Sequence, residues 1–171
     1  EETGSTLGES FYRQMLKAIL FAFLFMAIVV FITFRNVIPS LTVMMSGIFD
    51  LAATIAVIDL IGLKISTAGV AALLLILGYS IDTDIVLTTR TLKRKEGEIN
   101  ARIINAFKTG LTMAATTFIA LLIGYLITNS HVVKEMFLII MIGLVFDIII
   151  TWVFNAGILK WYLEMKGESS D

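Results

Sequence analysis

The chain has 171 residues, of which 58% are hydrophobic and 16% are charged. A soluble domain of this length has too much surface to keep so large an apolar fraction out of water, which excludes that class. The net charge of -1 gives no basis for nucleic-acid binding. The sequence has no Cys and one histidine, His131, which excludes disulfides, thiolate metal sites and a histidine cluster. We expect a membrane protein without metal or other cofactors.

Five apolar runs have the length of about 20 residues that an α-helix needs to cross a bilayer. They cover residues 16–34, 39–60, 66–88, 104–128 and 135–159. The expected fold is therefore all-α, a polytopic bundle of five transmembrane helices over residues 16–160. Residues 1–15 are expected to form an extracytoplasmic lead-in, and residues 161–171 a cytoplasmic C-terminal tail. The chain starts at Glu1 without an initiator Met or signal sequence, so we expect a piece of a longer polypeptide.

Local signals support these boundaries in chain order. Pro39 suits the first turn of the second helix, and Ser66 suits the N-cap of the third. The connections are short except for residues 89–103, so neighbouring helices should pack antiparallel. In that longer connection Ile99, Ile103 and Phe107 repeat at helical spacing among basic residues. We expect an amphipathic segment on the cytoplasmic lipid surface, with a solvated charged loop as the alternative.

Basic residues indicate the orientation. With the N-terminus outside, 9 of the 13 Lys and Arg residues fall on the cytoplasmic side and 4 on the outer side. The outer set is Arg13, Lys17, Lys64 and Lys134. This asymmetry follows the positive-inside rule, so we expect a multi-pass cell-membrane protein with a cytoplasmic C-terminus.

Four spans carry small or polar residues at every fourth position, which places them on one helix face. The sets are Ser46, Asp50 and Thr54; Ser80, Asp84 and Thr88; Thr112, Thr116, Ala120 and Gly124; and Gly143, Asp147, Thr151 and Asn155. We expect these stripes to face one another or a companion subunit. The alternative is that the Ala, Gly and Thr positions serve packing only.

Aspartates lie within these apolar runs with no cation in the same stretch: Asp50, Asp82, Asp84 and Asp147. A charged carboxylate is costly in hydrocarbon and burial disfavours that form, so such residues point to proton or ion coupling. Asp50 and Asp147 could instead be permanently protonated structural groups, and Asp82 and Asp84 could be hydrated from the cytoplasmic interface. Asp59, near the outer interface, is expected to be simply solvated.

Asp82 and Asp84 are two residues apart on one helix. They therefore point about 200° away from each other, and only one can face the bundle centre. Arg90 lies one or two turns further along and could lean toward either of them.

Residues 78–86 read Gly-Tyr-Ser-Ile-Asp-Thr-Asp-Ile-Val. This segment resembles the SecF family of protein-export membrane subunits, which carries a Gly-Tyr-Ser-hydrophobic-polar-Asp motif at the cytoplasmic end of its fourth span. Arg90 and Arg94 match the Arg-rich loop that follows, and the Thr-rich residues 109–117 resemble the family's next helix. Residues 6–10 resemble its approach to the second span, so the resemblance covers nearly the whole chain.

The match has one departure. The bacterial motif places its aspartate where Thr83 stands, and the related SecD subunit places it at the position of Asp82. The Asp-Thr-Asp version resembles archaeal members. On this resemblance Asp82 is narrowly favoured as the coupling residue, and Asp84 is the alternative.

The resemblance implies an RND-type assembly with a SecD-like subunit, acting with a SecY-type translocon on a translocating preprotein in the lipid membrane. Proton or cation flow driven by the proton motive force would assist export through Asp82, Asp84, Asp147 and Asp50. Thr116 and Thr117 would be hydrogen-bonding partners on the adjacent span, and Arg90 the nearby cation. An enzyme is not expected, because no nucleophile, base and acid occur together. The rival functions are an RND-type small-molecule exporter and a structural membrane scaffold.

Overall fold

The structure, a computed structural model, describes residues 2–93 and 98–167. Within them the elements are α1 (Glu2–Phe34), α2 (Val37–Ile61), α3 (Thr67–Lys93), α4 (Ile99–Ile127), α5 (His131–Ile149), a π-helical segment (Ile150–Asn155) and α6 (Ala156–Met165). Five stretches are long and apolar enough to cross a membrane, and the fifth, His131–Met165, runs continuously through α5, the π-helical segment and α6. The predicted all-α bundle of five spans is confirmed.

Several helices continue past the apolar runs that predict them. The helix α1 begins at Glu2 and α4 begins at Ile99, each ahead of its apolar run. Charged side chains such as Glu, Arg and Lys are good helix formers, so the helical backbone continues where the hydropathy falls. In α1 the guanidinium of Arg13 lies 2.7 Å from the Glu9 carboxylate one turn earlier, a pairing that favours helix.

Of the connection predicted over residues 89–103, residues 89–93 and 99–103 are helical, as expected for an amphipathic segment that leads into the fourth span and not for a loop. The expected placement of its apolar face on the lipid surface is corrected. Ile99 is fully buried and packs against Tyr162 and Leu163 of α6. Phe107 meets the ring of Trp152 edge to face at 5.1 Å. The apolar stripe therefore contacts the protein's own fifth span. Two of the basic residues assigned to the segment, Arg94 and Lys95, lie outside the described residues.

The C-terminal end of α2 and the N-terminal end of α3 are fixed by specific caps. Gly62, at a left-handed φ of 73°, ends α2, and the amide of Leu63 donates to the Ile58 carbonyl at 3.1 Å. As predicted, Ser66 caps α3: its hydroxyl accepts from the Gly69 amide at 3.3 Å. The Ser66 amide in turn donates to Glu135 Oε1 of α5 at 2.8 Å, so this cap also ties α3 to α5.

The third helix lies at the centre of the bundle. It contacts α1, α2, α4 and α5, whereas α1 packs against α2 and α3. The main core contains buried side chains of α1, α2, α3 and α5, including Val30, Val43, Leu73 and Ile139. Polar residues on α3 can therefore meet side chains of several helices at once.

Candidate functional site

Three of the four predicted stripes meet in the bundle interior, where α2, α3 and α5 pack together. Their polar members have no exposed surface. These residues are Ser46, Asp50, Thr54, Ser80, Asp84, Thr88, Asp147, Thr151 and Asn155. We call Asp50, Asp84 and Asp147, with the side chains that donate to them, the carboxyl cluster.

Each carboxyl group of the cluster is held by a hydroxyl or an amide. Asp50 Oδ2 accepts a hydrogen bond from the Ser80 hydroxyl. Asp84 Oδ1 accepts two, from Thr151 Oγ1 at 2.9 Å and from Asn155 Nδ2 at 2.6 Å. Thr151 Oγ1 also lies 3.2 Å from Asp147 Oδ1. Because a hydroxyl has one proton to donate, Thr151 can serve only one of these two carboxyl groups at a time.

A second feature is common to all three carboxyl groups. One oxygen of each lies within hydrogen-bonding distance of a donor, and the other is buried without a partner among the described residues: Asp50 Oδ1, Asp84 Oδ2 and Asp147 Oδ2. An unpaired buried polar atom costs about 1–3 kcal/mol, so such atoms are rare unless they have a use. A carboxylic acid has this asymmetry, since one oxygen accepts and the other carries a proton.

Within residues 2–93 and 98–167, no lysine or arginine contacts the carboxyl cluster. Arg90 donates to the backbone carbonyl of Asn105 at 3.1 Å rather than to Asp82 or Asp84. The buried Arg102 donates to the Thr91 carbonyl at 2.9 Å. Both contacts join the C-terminal end of α3 to the start of α4. The cluster therefore combines three acidic groups with hydroxyl and amide donors and no compensating cation.

The arrangement suits proton exchange. Asp147 and Asp50 each lie within electrostatic range of Asp84, and neighbouring carboxyl groups titrate as one system. Thr151 lies between Asp84 and Asp147, and a hydroxyl can accept a proton from one group while donating its own to the other. No group of three potential ligand residues with metal-binding geometry occurs in the described part of the chain.

Asp82 occupies a different environment from Asp84. It is exposed on the opposite side of α3 and lines a groove of about 670 Å³ between α1 and α4. Thr117 lines the same groove. Thr116 is exposed, and its hydroxyl bonds the carbonyls of Thr112 and Met113 on its own helix, at 2.9 Å each. The structure thus brings Asp50, Asp84 and Asp147 together and leaves Asp82, Thr116, Thr117 and Arg90 outside the cluster.

Three donors of the cluster were not among the predicted site residues: Ser80, Thr151 and Asn155. Each belongs to a predicted stripe: Ser80 and Thr151 lie four residues from the aspartate of their stripe, and Asn155 lies eight residues from Asp147. The four-residue spacing was the available signal, but it does not distinguish a donor from a packing position.

Comparisons with known proteins agree with the predicted family. Residues 1–165 match the family described as "Protein export membrane protein SecD/SecF, C-terminal". The chain is similar to the "Protein-export membrane protein SecF" of Thermococcus gammatolerans, 42% identical over 158 residues, which covers 92% of this chain and 50% of the relative. The SecF protein of Methanothermobacter thermautotrophicus is 42% identical over 168 residues, covering 95% of this chain and 58% of the relative. The chain thus spans about half the length of these relatives.

Proposed function

The chain belongs to the SecD/SecF family of protein-export membrane proteins, and we propose that it assists Sec-dependent protein translocation by binding and releasing protons at Asp84 and its neighbours. It would do so as part of a larger multi-pass protein in the cell membrane. It would be an accessory to the translocon. In this role it would act on preproteins without catalysing a reaction.

The observation that supports proton coupling is that each of the three buried carboxyl groups has a hydrogen-bond donor near one oxygen only. Asp50, Asp84 and Asp147 come from three different helices, and each has a donor within reach of one oxygen and none at the other. Adding or removing a proton changes which of these atoms donate and which accept. The preferred contacts between α2, α3 and α5 change with it, which is the property a protonation switch needs.

The position of the cluster suits a response to the transmembrane gradient. In the proposed orientation α3 runs from outside to inside, and Asp84 lies about 6 Å to the cytoplasmic side of its midpoint. A charge that crosses the whole membrane gains about 2.3 kcal/mol per 100 mV. A few protons passing the cluster per cycle would therefore supply enough free energy to bias a two-state helix bundle.

The proposed partner in the membrane is a SecD-like subunit, and the groove between α1 and α4 is its docking surface. The groove is apolar except for Tyr79, Asp82 and Thr117. Gly78 lines it one turn from Asp82 and leaves space there because it has no side chain. An exposed carboxyl group within the membrane requires a polar neighbour, so the partner helix is expected to present a donor there. A SecY-type translocon and the preprotein would be engaged by the larger assembly.

Substituting Gly78 tests this docking surface. A Cβ at Gly78 meets nothing within 4 Å, so Gly78→Leu should leave the chain's own thermal unfolding unchanged and fill the groove instead. We expect the SecD-like subunit to be lost from the complex when it is purified in mild detergent. Gly157→Leu, at a second open position on α6, is the matched control. If the Gly78→Leu complex retained the SecD-like subunit, that subunit would dock on a different surface of the chain.

The function itself is tested with the complete complex and the translocon reconstituted in vesicles. An imposed pH gradient should accelerate the movement of a preprotein already engaged in the channel, and a protonophore should abolish this effect. Gradient-driven efflux of small molecules, with no effect on the preprotein, would instead identify an RND-type exporter. If the gradient changed neither process, the chain would be a scaffold.

A further inference from the structure

The fifth span changes its helical form beside the carboxyl cluster. Residues Ile150–Asn155 form a π-helix between α5 and α6. Such segments are rare and are frequently found at functional sites. The contacts of this segment therefore need an explanation.

Side chains of the segment are anchored to three other helices. Phe154 packs edge to face against Phe49 of α2, with ring centroids 5.1 Å apart. Trp152 packs in the same way against Phe107 of α4. Thr151 and Asn155 both donate to Asp84 of α3. The contact with Asp84 is the one among these that depends on a titratable group.

The π-helical form explains how Thr151 and Asn155 reach the same oxygen. In an α-helix, residues four apart drift by about 40° around the axis per step, so Asp147, Thr151 and Asn155 would spread over about 80°. A π turn holds more residues than an α turn, which counteracts this drift. The two donors therefore remain on the face that meets Asp84 Oδ1.

We propose that Asn155 is a positioning residue for Asp84, delivered to it by the π-helical segment, and that together with Thr151 it occupies Oδ1 so that Asp84 binds its proton on Oδ2. This inference rests on the proposed function of Asp84 as a proton carrier. Oδ2 is buried and has no donor among the described residues, so it is the oxygen that remains for the proton. Asn155 is itself fully buried, with its own Oδ1 unpaired.

The groups that influence Asp84 are few. Asp50 of α2 and Asp147 of α5 are the titratable groups in electrostatic contact with it. Within the described ranges, α1, α4 and α6 place no charged side chain against it. A change in the state of Asp84 on substitution of Asn155 would therefore report the lost amide directly.

Infrared difference spectroscopy across a pH step tests the proposal in the complete complex. The carbonyl stretch of protonated Asp84 is identified as the band that Asp84→Asn removes. In Asn155→Leu, which keeps the number and branching of the side-chain heavy atoms and removes the amide, we expect this band to move to higher frequency, because a carbonyl that loses a donor has a stronger C=O bond. Val153→Ala is the matched control, since Val153 belongs to the same segment but is 72% exposed. It should leave the band in place.

A second variant tests the same oxygen through its other donor. Thr151→Val keeps the shape of the side chain and removes the hydroxyl that donates to Asp84 Oδ1. The expected result is a band shift in the same direction as in Asn155→Leu. An unshifted band in either variant would overturn the proposal. If instead the Asp84 band is present in the wild type and shifts in Asn155→Leu, but the gradient still accelerates export in Asp84→Asn, the proposed function fails. Asn155 then keeps its positioning role.

Discussion

Asp84→Asn is expected to abolish the acceleration of protein export by a pH gradient, leaving the rate measured without a gradient. The substitution preserves the shape of the side chain, and its amide oxygen can still accept from Thr151 and Asn155. It removes the group that gains and loses a proton. The variant should therefore insert, fold and bind its partner normally. The measurement is preprotein translocation in vesicles with and without an imposed gradient.

Asp82→Asn is the comparison that separates the two aspartates of the motif. Asp82 faces the groove between α1 and α4 and lies outside the carboxyl cluster. We expect this variant to retain the gradient effect in complexes that keep the companion subunit. If Asp82→Asn abolishes the effect and Asp84→Asn does not, the coupling role belongs to Asp82, as the family resemblance favours, and the buried cluster is structural.

The second large effect is expected at Gly143. A Cβ there would lie 2.5 Å from Ile76 Cδ1 and 2.8 Å from Ile76 Cγ1, in a fully packed contact between α3 and α5. Ile76 is 1% exposed and β-branched, so it has little freedom to move aside. We expect Gly143→Ala to lower the free energy of unfolding by about 2 kcal/mol. Thermal or SDS-induced unfolding in detergent measures the change.

Two variants control for this effect. Gly157→Ala adds a Cβ to a helix where nothing lies within 4 Å, so it should be neutral or stabilise by up to about 1 kcal/mol. Ile76→Ala makes room for the new methyl group. The double variant Gly143→Ala/Ile76→Ala should therefore be less destabilised than the sum of the two single variants. Additive losses would show that the contact does not limit the approach of α3 and α5.

The sequence was sufficient to predict the five spans and three of the four polar faces, those of α2, α3 and the fifth span. Hydropathy and length identify each helix because every backbone group must be bonded internally in lipid. The stripes containing Asp50, Asp84 and Asp147 were identified by their spacing, and all three lie in the interior. A buried polar face in a membrane helix leaves few alternatives, since lipid cannot solvate it.

Other features depend on packing that no local pattern specifies. The stripe on α4 looked like the other three, yet Thr112 and Thr116 are exposed. Their hydroxyls bond carbonyls one turn earlier on the same helix, at 2.7 Å from Lys108 O and 2.9 Å from Thr112 O. A threonine in lipid can satisfy itself in this way, so it carries less information than an aspartate.

Two further points required the tertiary structure. The spacing shows that Asp82 and Asp84 face opposite ways, but which one points inward is set by the rotation of α3 against its neighbours. The π-helical segment is also invisible in the sequence, because its register is fixed by contacts with Phe49, Phe107 and Asp84 on three other helices.

The most direct test of the account is proton flux through the complete complex in proteoliposomes, followed with a pH-sensitive dye trapped inside. A pH gradient across wild-type vesicles should dissipate faster than across empty ones, and Asp84→Asn should return the rate to that of empty vesicles. Undiminished flux through Asp84→Asn would show that protons do not pass by way of the buried carboxyl groups.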